Sequence, residues 1–99
     1  MSTGISVIEK SKIKLKEPKK YKVIMHNDDF TSMEFVVFVL VNIFRKSNNE
    51  AVDIMMTVHK SGKAAVGRYS YDIAKTKVEK TMLLAREEGY PFKVTLEEE

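Results

Sequence analysis

The most constraining feature of this sequence is a junction, at which an alternating strand, a polar turn and the start of a helix follow one another directly. Apolar and polar side chains alternate from Tyr21 to Asn27, as in a half-buried strand, and this places the Asn27 amide on the apolar side at the C-terminal end. Thr31 then stands at a predicted N-cap, and Glu34 three residues later completes a capping box. The turn is therefore predicted to be pinned by a strand before it and a helix after it.

Two adjacent carboxylates, Asp28 and Asp29, occupy that turn. Paired aspartates in a pinned turn make a localised negative site, which suits a cation, a metal ion or a protonated amine. Aspartate side chains also favour turns for purely local reasons, because they hydrogen-bond to the backbone two residues on. This stretch alone does not distinguish a functional pair of aspartates from a pair of ordinary turn residues.

The apolar run after the turn is predicted to be a helix, although its β-branched and aromatic residues favour a strand on propensity. Arg45 and Lys46 would complement the C-terminus of that helix. Phe35, Phe38 and Val39 add a second apolar side, so the helix should be covered on most of its circumference. The residues at helical spacing are Met33, Val36, Val37, Leu40 and Phe44.

A second capping box, from Ser47 to Glu50, opens a shorter helix that Gly62 ends. His59 lies on the apolar stripe of this helix, where a histidine is more often a satisfied core or boundary residue than a functional one. Methionines on the same stripe are adaptable lining for a small pocket and equally good core filler. The stripe consists of Val52, Met55, Met56 and His59.

The remaining chain is predicted to form a strand, a helix and a last strand. The strand Ala64 to Ser70 contains Gly67, which indicates a bulge or a close approach. Ser70 caps the third helix, Gly89 and Pro91 stop it, and Phe92, Val94 and Leu96 alternate as the final strand. The predicted inward face of the third helix is Tyr71, Ala74, Val78, Met82 and Ala85, and its wet face is Asp72, Lys75, Lys77, Glu79 and Lys80.

The element order β-α-α-β-α-β predicts an α+β fold, a small three-stranded antiparallel sheet covered by three helices. With 99 residues, the chain has room for one domain. The net charge of +3 is concentrated in residues 1–20, which hold six Lys and two Glu, leaving −1 for residues 21–99. Residues 1–20 are therefore predicted to be a flexible basic extension, and residues 21–99 the domain, with no nucleic-acid face.

The composition and motifs of the sequence favour some classes of function over others. There is no Cys, no apolar run long enough to span a membrane and no signal-peptide pattern, so a reducing, cytoplasmic location is expected. The recognised catalytic templates do not occur, and an enzyme would have to use Asp28, Asp29 and His59. A metal site would need His26 as well, but His26 should point to the outer face of its strand. A binding module with an acidic turn beside a Met-lined apolar hollow is physically more coherent, and no cofactor is expected.

Several short motifs, in order along the chain, resemble those of the ClpS family, adaptors that hand N-degron proteins to Clp-type AAA+ proteases. The resemblance runs from about Tyr21 to Leu96, and residues 1–20 match only in being a flexible extension. The motifs are Tyr21-Lys22-Val23-Ile24, Asn27-Asp28-Asp29-Phe30-Thr31, Met33-Glu34-Phe35-Val36, Val58-His59, Gly62-Lys63-Ala64, Gly67, Ala74-Lys75-Thr76-Lys77-Val78 and Ala85-Arg86.

The resemblance implies a role for each matched position. Asn27, Asp28 and His59 correspond to the residues that hold the free α-amino group of the cargo's first residue. Met33 corresponds to the residue that gates a hydrophobic pocket. The positions around that pocket are Asp29, Thr31, Val36, Met55, Val58 and Phe92.

The resemblance also implies partners. Cargo would be proteins that begin with Leu, Phe, Tyr or Trp, and the N-domain of a ClpA/ClpC-type AAA+ unfoldase would dock on Asp72, Thr76 and Lys77. The protein would act as a non-enzymatic, bacterial, cytoplasmic monomer without nucleic acid or membrane. The alternatives are a helper domain that docks on an unfoldase through the third helix without a peptide pocket, and a small metal-dependent enzyme.

Three positions depart from the family pattern. Ser32 stands where many members have Pro, which should loosen the turn, and Phe30 replaces a common Tyr. Phe92 replaces a common Leu, which leaves the rank order among bulky first residues open. None of the three departures removes a predicted α-amino ligand.

Overall fold

The computed structural model describes residues 19–99, which form three strands and three helices. The elements are β1 (Lys20–His26), α1 (Met33–Asn42), α2 (Asn48–Ser61), β2 (Lys63–Ser70), α3 (Tyr71–Glu88) and β3 (Lys93–Glu98). This order confirms the predicted α+β fold. The predicted extension lies outside the described residues, except for Lys19 and Lys20, and Lys20 already belongs to β1.

The sheet is antiparallel in the order β2-β1-β3, so the strand that leads to the polar turn is central. β1 is in register with β2 except for one irregularity, where Val23 faces Gly67 and Ile24 faces Ala65. The residue between them, Val66, is the extra residue of a bulge. A Cβ atom on Gly67 would lie 2.7 Å from the hydroxyl of Tyr69. Gly67 therefore lies both next to a bulge and at a close approach, the two features that the sequence predicted as alternatives.

One hydrophobic core lies between the sheet and the helices. Val23 and Met25 of β1 are completely buried, as are Val39 and Leu40 of α1. α3 packs across all three strands, while α1 packs on α2 and α2 packs on β2. The packing leaves the C-terminal end of β1 beside the N-terminus of α1 and the C-terminus of α2. No helix in residues 19–99 is long and apolar enough to cross a membrane.

The predicted boundaries of α2 and α3 are correct because their end signals are local. The Ser47 hydroxyl accepts a hydrogen bond from the Glu50 backbone N–H, and the Glu50 carboxylate accepts one from the Ser47 backbone N–H. Gly62 ends α2 with a φ of 90°, and Gly89 ends α3 with a φ of 77°. Both glycines adopt the left-handed conformation that terminates helices.

The prediction for the ends of α1 was wrong at both termini. The N-cap is Ser32, whose hydroxyl oxygen accepts a hydrogen bond from the Phe35 backbone N–H, rather than Thr31. The Thr31 hydroxyl instead faces the turn, where it donates to the Asp28 carboxylate at 2.7 Å. At the other end the last turn contains no basic residue, since Arg45 lies beyond it with a φ of 57°.

On each helix, some residues that were predicted to face the core are exposed. Phe35 and Val39 of the predicted second apolar side of α1 are buried, whereas Phe38 is 52% exposed. In α2, Ala51 and Val58 are buried while Val52 is exposed. In α3, Tyr71 is exposed, and Thr81 is buried with its hydroxyl donating to the Lys77 carbonyl.

Candidate functional site

A cavity of about 400 Å³ opens where the turn after β1 meets α1 and α2. One side of it is the polar turn, and the other side is formed by apolar residues of the two helices. Its lining residues are Asn27, Asp28, Asp29, Phe30, Thr31, Ser32, Met33, Val36, Met55, Val58 and His59.

A backbone hydrogen bond brings the two polar parts of the cavity together. The Asn27 N–H donates to the Gly62 carbonyl at 2.8 Å, which attaches the turn to the end of α2. His59 lies in the last turn of α2, one helical turn before Gly62. Asn27 and His59, which are 32 positions apart, therefore line the same cavity because a strand end and a helix end are joined.

Asp28 organises the turn. Its Oδ1 accepts hydrogen bonds from the backbone N–H groups of Phe30 and Thr31, at 2.8 and 2.7 Å. Its Oδ2 accepts the Thr31 hydroxyl at 2.7 Å. A carboxylate offers about four lone-pair positions, so one acceptor position on Oδ2 is free for a ligand. The Asp28 side chain can therefore hold the turn and bind a ligand at the same time.

The same contacts keep Asp28 ionised. Partial burial acts to raise the pKa of its carboxyl group. The hydrogen bonds from the backbone and hydroxyl of Thr31 and from the backbone of Phe30 outweigh burial and hold the pKa below its ordinary value. A negative charge is thus present in the cavity across the neutral pH range.

The apolar side of the cavity is preformed. Val36, Met55 and Val58 are each less than a tenth exposed, so they make a fixed wall. Met33, the first residue of α1, is 43% exposed at the edge of the cavity. Its flexible side chain is the one apolar lining group of α1 and α2 with freedom to move over the opening.

Nearly all the predicted α-amino and pocket residues line this cavity, and Phe92 is the exception. Phe92 is 2% exposed and packs edge-on against Phe35, with ring centroids 6.1 Å apart. Its side chain contributes to the core just before β3, and its role in the pocket stays a prediction. Phe30 and Ser32 line the cavity although they were not predicted to, and their position between Asp29 and Met33 was the available signal.

His26 points away from the cavity, as the strand alternation predicts. Its Nε2 lies 2.8 Å from the hydroxyl of Thr95 on β3. Burial first, and then Lys93 and Lys63, lower the pKa of His26. Residues 19–99 contain no group of three or more His, Asp or Glu side chains placed to hold a metal ion, so this part of the chain offers no support for the metal-dependent alternative.

A second cavity, of about 350 Å³, contains the three predicted docking residues, Asp72, Thr76 and Lys77, together with the half-exposed Ile73. Asp72 and Thr76 are exposed. Lys77 was predicted to lie on the solvent-exposed face of α3, but its Nζ donates to the Ile43 carbonyl at 2.7 Å. Burial, followed by Arg45 and Lys80, lowers the pKa of Lys77.

The first cavity is suited to a compact cation joined to an apolar side chain. Its polar side offers a carboxylate, an amide and an imidazole, on Asp28, Asn27 and His59. A primary ammonium has three N–H donors and pairs well with such acceptors. The apolar wall of the same cavity can accept a side chain attached to the same carbon.

The chain is similar to known proteins over most of its length. The family model described as ATP-dependent Clp protease adaptor protein ClpS matches residues 16–95. A Clostridium acetobutylicum protein named ATP-dependent Clp protease adapter protein ClpS is 51% identical over 89 residues, 90% of this chain and 88% of that protein. The Lawsonia intracellularis protein of the same name is 48% identical over 85 residues, 86% of this chain and 78% of that protein.

The fold also has a solved counterpart. The structure of Agrobacterium tumefaciens ClpS2 bound to L-phenylalaninamide superposes with a TM-score of 0.81 at 43% identity. The match covers 84% of this chain and all of the Agrobacterium chain. Phenylalaninamide combines an α-amino group with a bulky hydrophobic side chain.

Proposed function

The chain belongs to the ClpS family of ATP-dependent Clp protease adaptor proteins, and we propose that it recognises cargo proteins by their first residue. The cargo residue is bulky and hydrophobic, Leu, Phe, Tyr or Trp, and carries a free α-amino group. The observation that carries the proposal is the convergence of Asn27, Asp28 and His59 on one cavity with an apolar wall.

The energetics suit an adaptor that must release its cargo. Burying a Leu or Phe side chain against Val36 and Met55 contributes roughly 1.5–3 kcal/mol. Each charge-assisted hydrogen bond to the α-ammonium adds about 1.5–3 kcal/mol. After the cost of association, the expected affinity is on the order of micromolar. Binding at this strength is specific and still reversible.

Met33 supplies the side-chain filter in this proposal. It lies at the cavity edge at the start of α1, where it meets the Cβ of a bound first residue. A β-branched residue carries extra bulk at that carbon. Val and Ile should therefore bind more weakly than Leu or Phe.

Delivery uses the second cavity. We place the N-domain of a ClpA/ClpC-type unfoldase on the exposed side chains of Asp72 and Thr76, with Lys77 at the inner edge of that surface. The basic extension, residues 1–20, is assigned to the delivery step, and residues 21–99 to the adaptor domain. The protein is placed in the cytoplasm as a non-enzymatic monomer that needs no cofactor, nucleic acid or membrane.

A reconstituted degradation assay tests this function. With a Clp unfoldase and its protease, the protein should accelerate degradation of a reporter that begins with Leu. Thr76→Glu should abolish the acceleration and keep peptide binding, because it adds a like charge beside Asp72 at the docking surface and leaves the first cavity intact.

Thr57→Glu, an equally exposed threonine on α2, is the matched control and should behave as the wild type. Loss of peptide binding in Thr76→Glu would contradict the separation of the two surfaces. Acceleration by the wild type of a reporter that begins with acetylated Leu would contradict recognition through the α-amino group.

A further inference from the structure

A third cavity, about 470 Å³, forms a groove between α1 and the C-terminal half of α3. Its apolar surface comes from Phe38, Leu84 and Tyr90. Phe38 is 52% exposed, and neither the proposed α-amino site nor the proposed docking surface uses it. Together with the apolar residues beside it, the ring forms a continuous apolar surface of the kind that binds partners.

The groove is continuous with the first cavity through Ser32, which lines both. The Tyr90 hydroxyl donates to the Ser32 hydroxyl oxygen at 3.2 Å, and the Tyr90 ring packs edge-on against Phe35 at 5.1 Å. Ser32 and Tyr90 therefore form a fixed boundary between the first cavity and the groove. A chain that leaves the first cavity over Ser32 enters the groove directly.

The groove is negative as well as apolar. Among its lining residues, Glu34 and Glu88 carry carboxylates and none is Lys or Arg. Asp28 and Asp29 add two more negative charges on the cavity side of the boundary. A segment that alternates apolar and basic side chains complements this surface, and an acidic segment is repelled by it.

We propose that this groove binds the cargo residues that follow the first one and favours apolar and basic side chains there. The inference rests on the proposed function, because the first residue anchors the chain in the neighbouring cavity. From Ser32 to Phe38 the helix rises about 9 Å, at about 1.5 Å per residue. An extended chain covers that length with about three residues at roughly 3.3 Å each. With one residue in the cavity and one over Ser32, cargo positions three to five lie in the groove.

The geometry favours cargo over the chain's own basic segment, Lys10 to Lys16. That segment joins the domain at Lys19, whose ammonium pairs with Glu98 at the start of β1. The groove begins beyond the other end of β1, and a seven-residue strand is about 20 Å long. The basic segment would have to double back along the whole sheet, whereas a bound cargo already lies at Ser32.

Affinity measurements on the full chain with three ligands test the proposal. The ligands are leucinamide and two eight-residue peptides that begin with Leu and carry either Lys-Leu-Lys or Glu-Ser-Glu at positions three to five. The Lys-Leu-Lys peptide should bind about three- to tenfold more tightly than the Glu-Ser-Glu peptide. Phe38→Ala should remove about three- to tenfold of the Lys-Leu-Lys affinity and leave leucinamide binding unchanged.

Matched variants separate the groove from general surface effects. Leu83→Ala removes an equally exposed apolar side chain that lines none of the three cavities and should change no affinity. Glu88→Gln should weaken the Lys-Leu-Lys peptide about twofold, and more at low salt, whereas the exposed Glu79→Gln should not. Thermal unfolding of each variant establishes that it is folded.

The results distinguish this inference from the proposed function. If leucinamide binds but the two peptides bind equally, the groove proposal is overturned and the adaptor function stands. If leucinamide does not bind, both are overturned. Tighter binding after Phe38→Ala would mean that the chain's own basic segment fills the groove, and concentration-dependent self-association lost in Phe38→Ala would mean that a second copy does. Either result would overturn the assignment to cargo.

Discussion

At the scale of single residues, Asp28 links the fold to the proposed chemistry. Three of its acceptor positions hold the turn, through Phe30 and Thr31, and the remaining one is free in the cavity. Its hydrogen bonds orient the carboxylate before any ligand arrives. A pre-oriented charge loses less side-chain freedom on binding, which improves affinity without additional contacts.

Asp28→Asn should lower the free energy of unfolding by about 1 kcal/mol at pH 7, because the charge-assisted hydrogen bonds become neutral ones. The folded-state pKa of Asp28 lies below its ordinary value of 3.8. The carboxylate's stabilisation is therefore present above about pH 4 and is lost as the pH falls through the lower, folded-state pKa. Urea unfolding of the wild type and variant between pH 7 and pH 2.5 measures the difference.

Asp29→Asn is the control for that series. Asp29 is exposed, and the hydrogen bonds that hold the turn go to Asp28 instead, so this variant should differ little from the wild type. A gap between wild type and Asp28→Asn that stays constant down to pH 2.5 would show that the ionised carboxylate does not hold the turn.

At the scale of elements, Lys77 joins α3 to the end of α1. Its Nζ donates to the Ile43 carbonyl, just beyond the last residue of α1, and lies 5.8 and 5.5 Å from the ring centroids of Phe44 and Tyr69. A carbonyl at a helix C-terminus has no partner within its own helix, so a lysine from a neighbouring helix is a good one. The contact also holds the floor of the docking surface.

Lys77→Met keeps most of the apolar stem and removes the ammonium. We expect a loss of about 1–2 kcal/mol in the free energy of unfolding, since the Ile43 carbonyl loses its donor and both rings lose a cation. Lys80→Met, on the same helix and exposed, should change the free energy of unfolding by less than about 0.5 kcal/mol. Equal effects of the two substitutions in chemical denaturation would contradict the structural role of Lys77.

The parts of the fold that the sequence predicted correctly are those with local causes. The Ser47–Glu50 capping box and the glycines at positions 62 and 89 act through their own backbone neighbours, and they end the helices where expected. Thr31 is not the N-cap, since its hydroxyl faces Asp28 in the turn and the next residue, Ser32, caps the helix. Periodicity cannot show which of two adjacent hydroxyl residues is already engaged.

The environments of Phe92 and Lys77 have a tertiary origin. The burial of Phe92 depends on how the segment before β3 packs against Phe35, which no local pattern encodes. Helical spacing places Lys77 on the solvent-exposed face of α3, but the end of α1 packs there and its Ile43 carbonyl accepts a hydrogen bond from Lys77. By contrast, the polar residues of the site were predictable, because strand, turn and cap place Asn27 and Asp28 within one short stretch.

At the scale of the whole molecule, the two proposed surfaces lie at opposite ends of α1. Met33 opens the helix beside the first cavity, and Ile43 follows its last residue at the second. Ten helical residues separate them by about 15 Å. In the proposed function, cargo lies at one end of α1 while an unfoldase domain covers the other.

The most direct test of this account is the affinity of the wild-type chain for a fluorescent peptide that begins with Leu or Phe, measured with the α-amino group free and again after acetylation. Acetylation removes the charge and two donors, so we expect the free peptides to bind at micromolar concentration and the acetylated ones about 10- to 100-fold more weakly. A free peptide that begins with Val should also bind more weakly than the Leu peptide. Equal affinity for the free and acetylated peptides would contradict recognition of the α-amino group by Asn27, Asp28 and His59.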